Sequence, residues 1–374
     1  MRVCMIVECH VRLHMGGAEY QAHLLAEELS RRDCVQVTYL GRHVPPSGDL
    51  SYATREIGNA AGFRGRAVFF DARSLWDTLV ELQPDVIYQR IKQSYTAVCS
   101  LYARRHHVPL VFHSSSEADI GSQRLWKPLS TNGAFDLLES VAGNWGVRHA
   151  SHVVVQTEQQ RELLRQRHCR EPSAVVRNFQ PLPSALPEKG SGPTRVLWVG
   201  NLKDVKRPHL FLELAALFAN RDDLEFWMVG RPSTNFSFRS TMSDIQRSPH
   251  VRYFGELPLD EVNALMNDAD VFVNTSEFEG SPNTFIQAWA RGAVVTSLVV
   301  DIDGGLEAMG IGYRTESVQR LAQAIDQLAR SPALRREIAN RAFAYVHREH
   351  SLDNAAKLAD LVLDAAKSWQ RPPA

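Results

Sequence analysis

What constrains this chain most is a rhythm that runs, stops and starts again. Short apolar runs at residues 3–7, 35–40, 86–88, 110–112 and 153–155 have the length of strands, and helical patterns separate most of them. A run that is apolar throughout belongs to a strand covered on both faces. Strands alternating with helices in this way predict a parallel sheet flanked by helices. The rhythm breaks at FQPLPSALPEKGSGPT (179–194), dense in proline, glycine and serine, a composition that favours neither helix nor strand. It resumes at 195–199, 224–229, 251–254, 271–273 and 293–296, with helical segments such as 208–220 and 259–268 between. Beyond Thr315 the pattern is helical to the end, and the last segment, 352–369, sets Leu358, Leu361, Val362 and Ala365 on one face. The predicted fold class is α/β with two Rossmann-like, doubly wound domains. The first spans 1–178 and is completed by the C-terminal helix 352–370, the linker is 179–194, and the second domain spans 195–350. With 374 residues, 44% of them hydrophobic, the chain can form two cores. Ligands of such sheets bind at the carboxyl ends of the strands, so a cleft where two such edges face each other is the expected site.

Charge and cysteine usage exclude several classes. Lys plus Arg equals Asp plus Glu at 42 each, so no overall field recruits nucleic acid, and none is expected as a partner. The cysteines, at 4, 9, 34, 99 and 169, form no C-x-x-C pair and read as reduced thiols. The apolar stretch at 3–7 is too short for a signal h-region or a membrane span, which points to the cytoplasm. His10 with His14 and His347 with His350 lack a third ligand nearby, so no metal through histidine is expected.

Three loops at strand ends carry candidate chemistry. In EFEGSPNTFIQAWARG (277–292), Glu279 and Gly280 precede Ser281, Pro282, Asn283 and Thr284. These small N-cap types and a proline predict a helix starting near Asn283. Its free N–H groups and dipole make an anion site suited to phosphate. Phe285, Ile286, Trp289 and Ala290 fall on the core side, and Thr284, Gln287 and Arg291 on the other. Gln287 then stands about 5 Å above the phosphate-facing end, within reach of a ribose. An ordinary capped amphipathic helix fits these residues equally well. Gly16 and Gly17 open another helix and let a ligand approach the backbone, or else form a plain turn. They are not part of a G-x-G-x-x-G dinucleotide fingerprint. In the second domain the strand at 195–199 leads through Gly200 and Asn201 to Lys206, Arg207 and Pro208. A lysine beside the positive end of a helix does not serve the dipole, so an anionic ligand is its natural partner, with a solvated surface lysine as the alternative.

The ordered set GGAE (16–19), VGNLKDVKRP (199–208), YFGELP (253–258) and EGSPNTFIQAWARGAVV (279–295) resembles retaining glycosyltransferase family 4, which has the GT-B fold, over nearly the whole chain. The resemblance implies transfer of a sugar from a nucleotide-sugar donor, UDP-linked in most of the family, to a glycan, lipid-linked or other acceptor, as in cell-envelope polysaccharide synthesis. It implies that Glu279 contacts the donor sugar and that Lys206, with Arg207 and the Gly280–Thr284 stretch, holds the diphosphate. Gly16 and Gly17 match the loop beside phosphate and acceptor, Phe254 and Gly255 the loop bordering the nucleobase, and His113 a histidine near the donor sugar. Gln287 replaces the family's second glutamate, Asn201 the arginine after the first glycine of the domain, and Ser281 an aromatic or apolar residue. A degraded, nucleotide-sugar-binding subunit is therefore the alternative to an active enzyme. Asp301-Ile302-Asp303 has the form of a metal-binding Asp-x-Asp, yet Asp268-Ala269-Asp270 shows how cheaply the pattern arises. With Lys206 and a helix start supplying positive charge, neither metal nor cofactor is expected. Arg124, Trp126, Lys127 and Trp145 within 122–145, and the basic RELLRQRHCR (161–170), suggest weak docking at the inner membrane face, with a solvated loop and an ordinary surface helix as alternatives.

Overall fold

The computed structural model describes residues 1–58, 68–121, 131–231 and 237–369. Two compact units emerge, one of Met1–Gln180 with the chain from Leu352, the other of Pro181–Ser351.

The first unit holds strands β1 (Arg2–Ile6), β2 (Gln36–Gly41), β3 (Ala53–Glu56), β4 (Val86–Arg90), β5 (Leu110–His113), β6 (His152–Val155) and β7 (Ala174–Val175). They form one seven-stranded sheet in the order β3-β2-β1-β4-β5-β6-β7, parallel at every pairing. Its helices are α1 (Gly17–Ser30), α2 (Ala72–Leu82), α3 (Ser94–His106), α4 (Thr131–His149) and α5 (Glu158–His168). Strand β1 shows why the strands read as unbroken apolar runs. Val3, Met5 and Val7 feed one core with Leu25 and Leu29 of α1, while Cys4 and Ile6 feed the opposite core with Leu75, Leu79 and Tyr95.

The second unit holds β8 (Thr194–Val199), β9 (Leu224–Val229), β10 (Val251–Tyr253), β11 (Val271–Asn274), β12 (Val294–Ser297) and β13 (Gly312–Arg314), ordered β10-β9-β8-β11-β12-β13 and again parallel. Its helices are α6 (Pro208–Ala216), α7 (Ser237–Arg247), α8 (Leu259–Asp268), α9 (Asn283–Ala290), α10 (Gly305–Ala308), α11 (Val318–Arg330) and α12 (Pro332–Glu349). The last helix, α13 (Asp353–Ser368), rejoins the first core through Ala355, Leu358, Ala359 and Val362. Each sheet has the strand order of a doubly wound nucleotide-binding fold, reversing direction between β1 and β4 and between β8 and β11.

The segment 179–194 has little regular structure but is firmly held. Lys189 Nζ donates to the carbonyls of Asn267 (2.8 Å), Ala269 (2.6 Å) and Arg291 (2.8 Å). Burial of this ammonium pulls its pKa down to about 8. Strands β3, β7 and β13 are absent from the sequence reading, and all lie at sheet edges. Edge strands are short and half solvated, and ATRE, AV and GYR carry no apolar run to betray them.

Candidate active site

The carboxyl edge of the second sheet is lined by glycines for two different reasons. Gly200 follows β8 and Gly230 follows β9, and a Cβ on Gly230 would fall 2.0 Å from the Gly200 carbonyl oxygen. Close approach requires that glycine. Gly255, after β10, has open space around it but a φ of +75°, which favours a residue without a side chain. The Gly230 N–H donates to the Gly255 carbonyl at 2.8 Å, so these strand ends are tied together. Phe254 lies beside them, its ring edge-to-face with Trp227 and covered by the Arg252 guanidinium.

Beyond β8 the chain passes half-buried Asn201 and makes a single 3₁₀ turn, Asp204–Lys206, before α6. Beyond β11 it runs through Thr275, Ser276 and Glu279 to the start of α9. These loops meet at an ion pair, Lys206 Nζ to Glu279 Oε2 at 2.7 Å. Glu279 Oε1 accepts from Ser276 Oγ (2.6 Å) and Asn274 Nδ2 (2.8 Å). Burial alone would raise this carboxyl's pKa. The Lys206 charge, with hydrogen bonds from Lys206, Ser276 and Asn274, outweighs burial and holds it below the usual carboxylate range. Glu279 is thus a fixed, ionised acceptor.

A further layer holds the lysine. Thr275 Oγ1 donates to the Lys206 carbonyl at 2.6 Å and accepts from Trp198 Nε1 at 2.9 Å. Arg207, at φ +45°, sends Nε to the Thr275 carbonyl (2.7 Å) and Nη2 to that of Ser276 (3.0 Å). Its guanidinium fastens one loop to the other, a use that the sequence reading, with Arg207 on the diphosphate, did not contain. Asn274, Thr275, Ser276, Trp198 and Gly230 were also missed. The available signal was the recurrence of glycine after β8, β9 and β10, and the small polar run NTS before the carboxylate.

Helix α9 begins at Asn283 with Pro282 as its N-cap and no side-chain cap. Its N-terminal turn follows Glu279 directly, through Gly280 and the buried Ser281. The amphipathic reading of α9 needs correction. Phe285, Ile286, Ala288, Trp289 and Ala290 are buried, and so is Gln287, only 5% exposed. Its Nε2 donates to Asn263 Oδ1 of α8 at 3.2 Å. Neighbours α8 and α12 enclose the face that periodicity alone would leave to solvent.

The remaining candidates belong to the first domain. Gly16 is the N-cap of α1, and the Glu19 carboxylate curls back over it, so that a Cβ there would collide with it. Gly17 is the first residue of that helix. His113 ends β5 fully buried, its Nδ1 2.9 Å from Tyr88 Oη and 3.0 Å from Arg90 Nη1. Arginine can only donate, so Nδ1 accepts and the proton sits on Nε2. Burial and the Arg90 charge keep the ring neutral. Asp301 Oδ1 accepts the Leu306 N–H at 3.0 Å, tying it to α10. Among the described residues no cluster of three or more His, Cys, Asp or Glu has metal-binding geometry. Arg124, Trp126 and Lys127 lie outside the described residues.

Residues 193–331 match the family described as glycosyl transferases group 1, and residues 16–178 match the glycosyl transferase 4-like domain. Among curated proteins none matches the sequence. Among solved structures, sucrose-phosphate synthase from Thermosynechococcus elongatus superposes with a TM-score of 0.78 at 14% identity, covering 97% of this chain and 98% of that one. WaaG, a glycosyltransferase involved in lipopolysaccharide biosynthesis, gives 0.76 at 14% identity over 96% and 99%. HepE of Anabaena, solved in complex with UDP and glucose, gives 0.74 at 17% identity over 97% and 100%. At these identities the likeness shows the fold.

Proposed function

Since this chain belongs to the family 4-like, group 1 glycosyltransferases and has their GT-B fold, we propose that it transfers a sugar from a UDP-linked donor to a saccharide or lipid-linked acceptor with retention of anomeric configuration. The observation that carries the reading is the Lys206–Glu279 pair beside the uncapped start of α9. Transfer builds negative charge on the departing diphosphate. The Lys206 ammonium, 26% exposed at its side chain, has three hydrogens and spends one on Glu279, so the others serve the leaving phosphate. The N–H groups at the start of α9 add to that clamp. A carboxylate offers about four lone-pair positions. Lys206, Ser276 and Asn274 occupy three on Glu279, which leaves acceptor capacity for a hydroxyl of the donor sugar.

No side chain is assigned as general base. In a front-side attack the leaving phosphate oxygen takes the acceptor's proton, and the clamp is what the protein supplies. Because Lys206 and the helix start provide the positive charge, the reaction runs without a divalent ion. Asn201 adds hydrogen bonding but no charge, while the Gln287 amide is engaged by Asn263. The UDP and glucose bound to HepE support a UDP-sugar for this chain too. We place the reaction in the cytoplasm, in the assembly of cell-envelope glycans. Among the described residues no helix is long and apolar enough to cross a membrane.

The test is thermal stability against UDP, GDP and ADP, each with and without EDTA. A ligand at 100 times its dissociation constant stabilises by roughly 2.7 kcal/mol. A shift with UDP alone, indifferent to EDTA, is the expected result. No shift with any nucleotide would leave a GT-B subunit that has lost its donor.

A further inference from the structure

The hydrogen bonds between β8 and β9 run on past the ends of both strands. Within the strands Trp198 pairs with Met228 and Val199 with Val229. Beyond them the Gly200 N–H donates to the Val229 carbonyl and the Leu202 N–H to the Arg231 carbonyl, each at 3.0 Å. The parallel register therefore continues, and Asn201 and Arg231 become neighbours across the two chains. Side chains alternate between the faces of a sheet. Leu197, Val199, Trp227 and Val229 belong to the core that holds Phe285 and Ile286 of α9. Asn201 and Arg231, two residues further on, fall on that same face, at the carboxyl edge where the uncapped helix α9 starts. Both are half-buried.

This edge is short of positive charge for a diphosphate, which carries more than one negative charge. Lys206 and Glu279 together are neutral, and Arg207 commits its guanidinium to the Thr275 and Ser276 carbonyls. Arg231 is a cation on the neighbouring strand end. Its contact with Glu256 is 3.7 Å long, beyond hydrogen-bond length, between side chains 32% and 54% exposed, and such a pair contributes little. A phosphate offers a guanidinium a shorter, two-pronged partner. We propose, on the basis of the nucleotide-sugar reading, that Arg231 is the second cation of the diphosphate site, reaching it from the end of β9 as Lys206 reaches it from the loop after β8. Asn201, the cross-strand neighbour of Arg231, is then a place from which a guanidinium would meet the same oxygens. Lys203, on the loop with Lys206, is exposed to water and has no such place on the α9 face.

The experiment is titration calorimetry of the full chain with UDP, GDP and ADP, and with the matching nucleosides, which lack phosphate. For the nucleotide that binds the wild type, Arg231→Gln is expected to cost about tenfold to a hundredfold in affinity, the scale of a hydrogen bond to a charged group. Affinity for the nucleoside should not change. Arg231→Lys keeps the charge but loses the planar fork, so its nucleotide affinity should lie between the two. Adding Asn201→Arg to Arg231→Gln should restore most of the loss, and Lys203→Gln should bind as the wild type does. Should Arg231→Gln fail to fold, Arg231→Lys decides: a loss for the nucleotide and not for the nucleoside supports the proposal, and no loss overturns it. Unchanged nucleotide affinity in a folded Arg231→Gln, with affinity lost in Lys206→Ala, overturns this proposal and leaves the donor site standing. So does an equal loss for nucleotide and nucleoside, which would put Arg231 at the base, or an equal loss in Lys203→Gln, which would reduce the effect to a general field. A wild type that binds none of the nucleotides ends both readings.

Discussion

Glu279 and Lys206 are meaningful only as a pair, since each answers the charge that makes the other expensive to bury. Glu279→Gln would set an amide NH₂ against either the Lys206 ammonium or the Asn274 amide. We expect sugar transfer to fall by about 10²-fold or more, the scale of losing one preorganised electrostatic contact. The fold should survive with a melting midpoint lower by only a few degrees, because the partly exposed lysine rehydrates. Wild-type turnover in a radiolabelled-sugar assay would defeat the assignment of Glu279. Lys206→Ala should weaken nucleoside diphosphate binding by about 1 to 3 kcal/mol, read by titration calorimetry; unchanged affinity would move the phosphate site elsewhere. Both residues were legible in the sequence, because each follows a strand end and precedes a helix start. Their union was not, since 73 positions separate them and only the adjacency of β8 and β11 brings them together. Nor could Arg207 be read as a tie between loops, because a cation next to another cation suggests a second phosphate ligand until its carbonyl partners are seen.

The elements of the first domain carry a titrating feature of their own. The loop after β1 places His10, fully buried, with Nε2 2.7 Å from Tyr52 Oη, and His23 of α1 bonds the same hydroxyl through Nδ1 at 2.7 Å. Burial, then His23 and Arg12, lower the His10 pKa to about 4. In the unfolded chain this ring takes its proton near pH 6.5, and in the folded chain it resists until about pH 4. The unfolded state therefore binds more protons in between, and stability falls as pH drops through that window and is flat above it. Calorimetric midpoints of His10→Gln, which keeps a partner for Tyr52 but cannot titrate, should fall less steeply between those pH values. A slope equal to wild type would show that His10 does not contribute. No sequence signal distinguishes this histidine from its neighbour His14, because Tyr52 arrives from a separate part of the chain. Helix α9 teaches the same lesson in reverse. Its start was readable from Ser281, Pro282 and Asn283, but its exposed face was not, because enclosure by α8 and α12 is a property of the packing.

At the scale of the molecule, α13 makes the first domain depend on the last residues of the chain. It puts Ala355, Leu358, Ala359 and Val362, all at most 1% exposed, into the same core as α1. Burial of a leucine or valine side chain contributes about 1.5 to 3 kcal/mol, so the helix accounts for a large share of the roughly 5 to 15 kcal/mol that stabilises a domain. Ending the chain after Ser351 should therefore leave the first domain molten, with strong dye binding and no cooperative transition of its own. An unchanged melting curve for the truncated chain would show that α13 is dispensable. The sequence by itself determined the two α/β folds, the start of α9 and the strand-end loops. These follow from periodicity, from breakers and from caps, which act over a few neighbouring residues. Only the tertiary structure decided the edge strands β3, β7 and β13 and the partners of Glu279, Arg207, Gln287 and His10. Each of these depends on groups distant in sequence being brought within hydrogen-bonding or van der Waals reach, and local pattern carries no record of them.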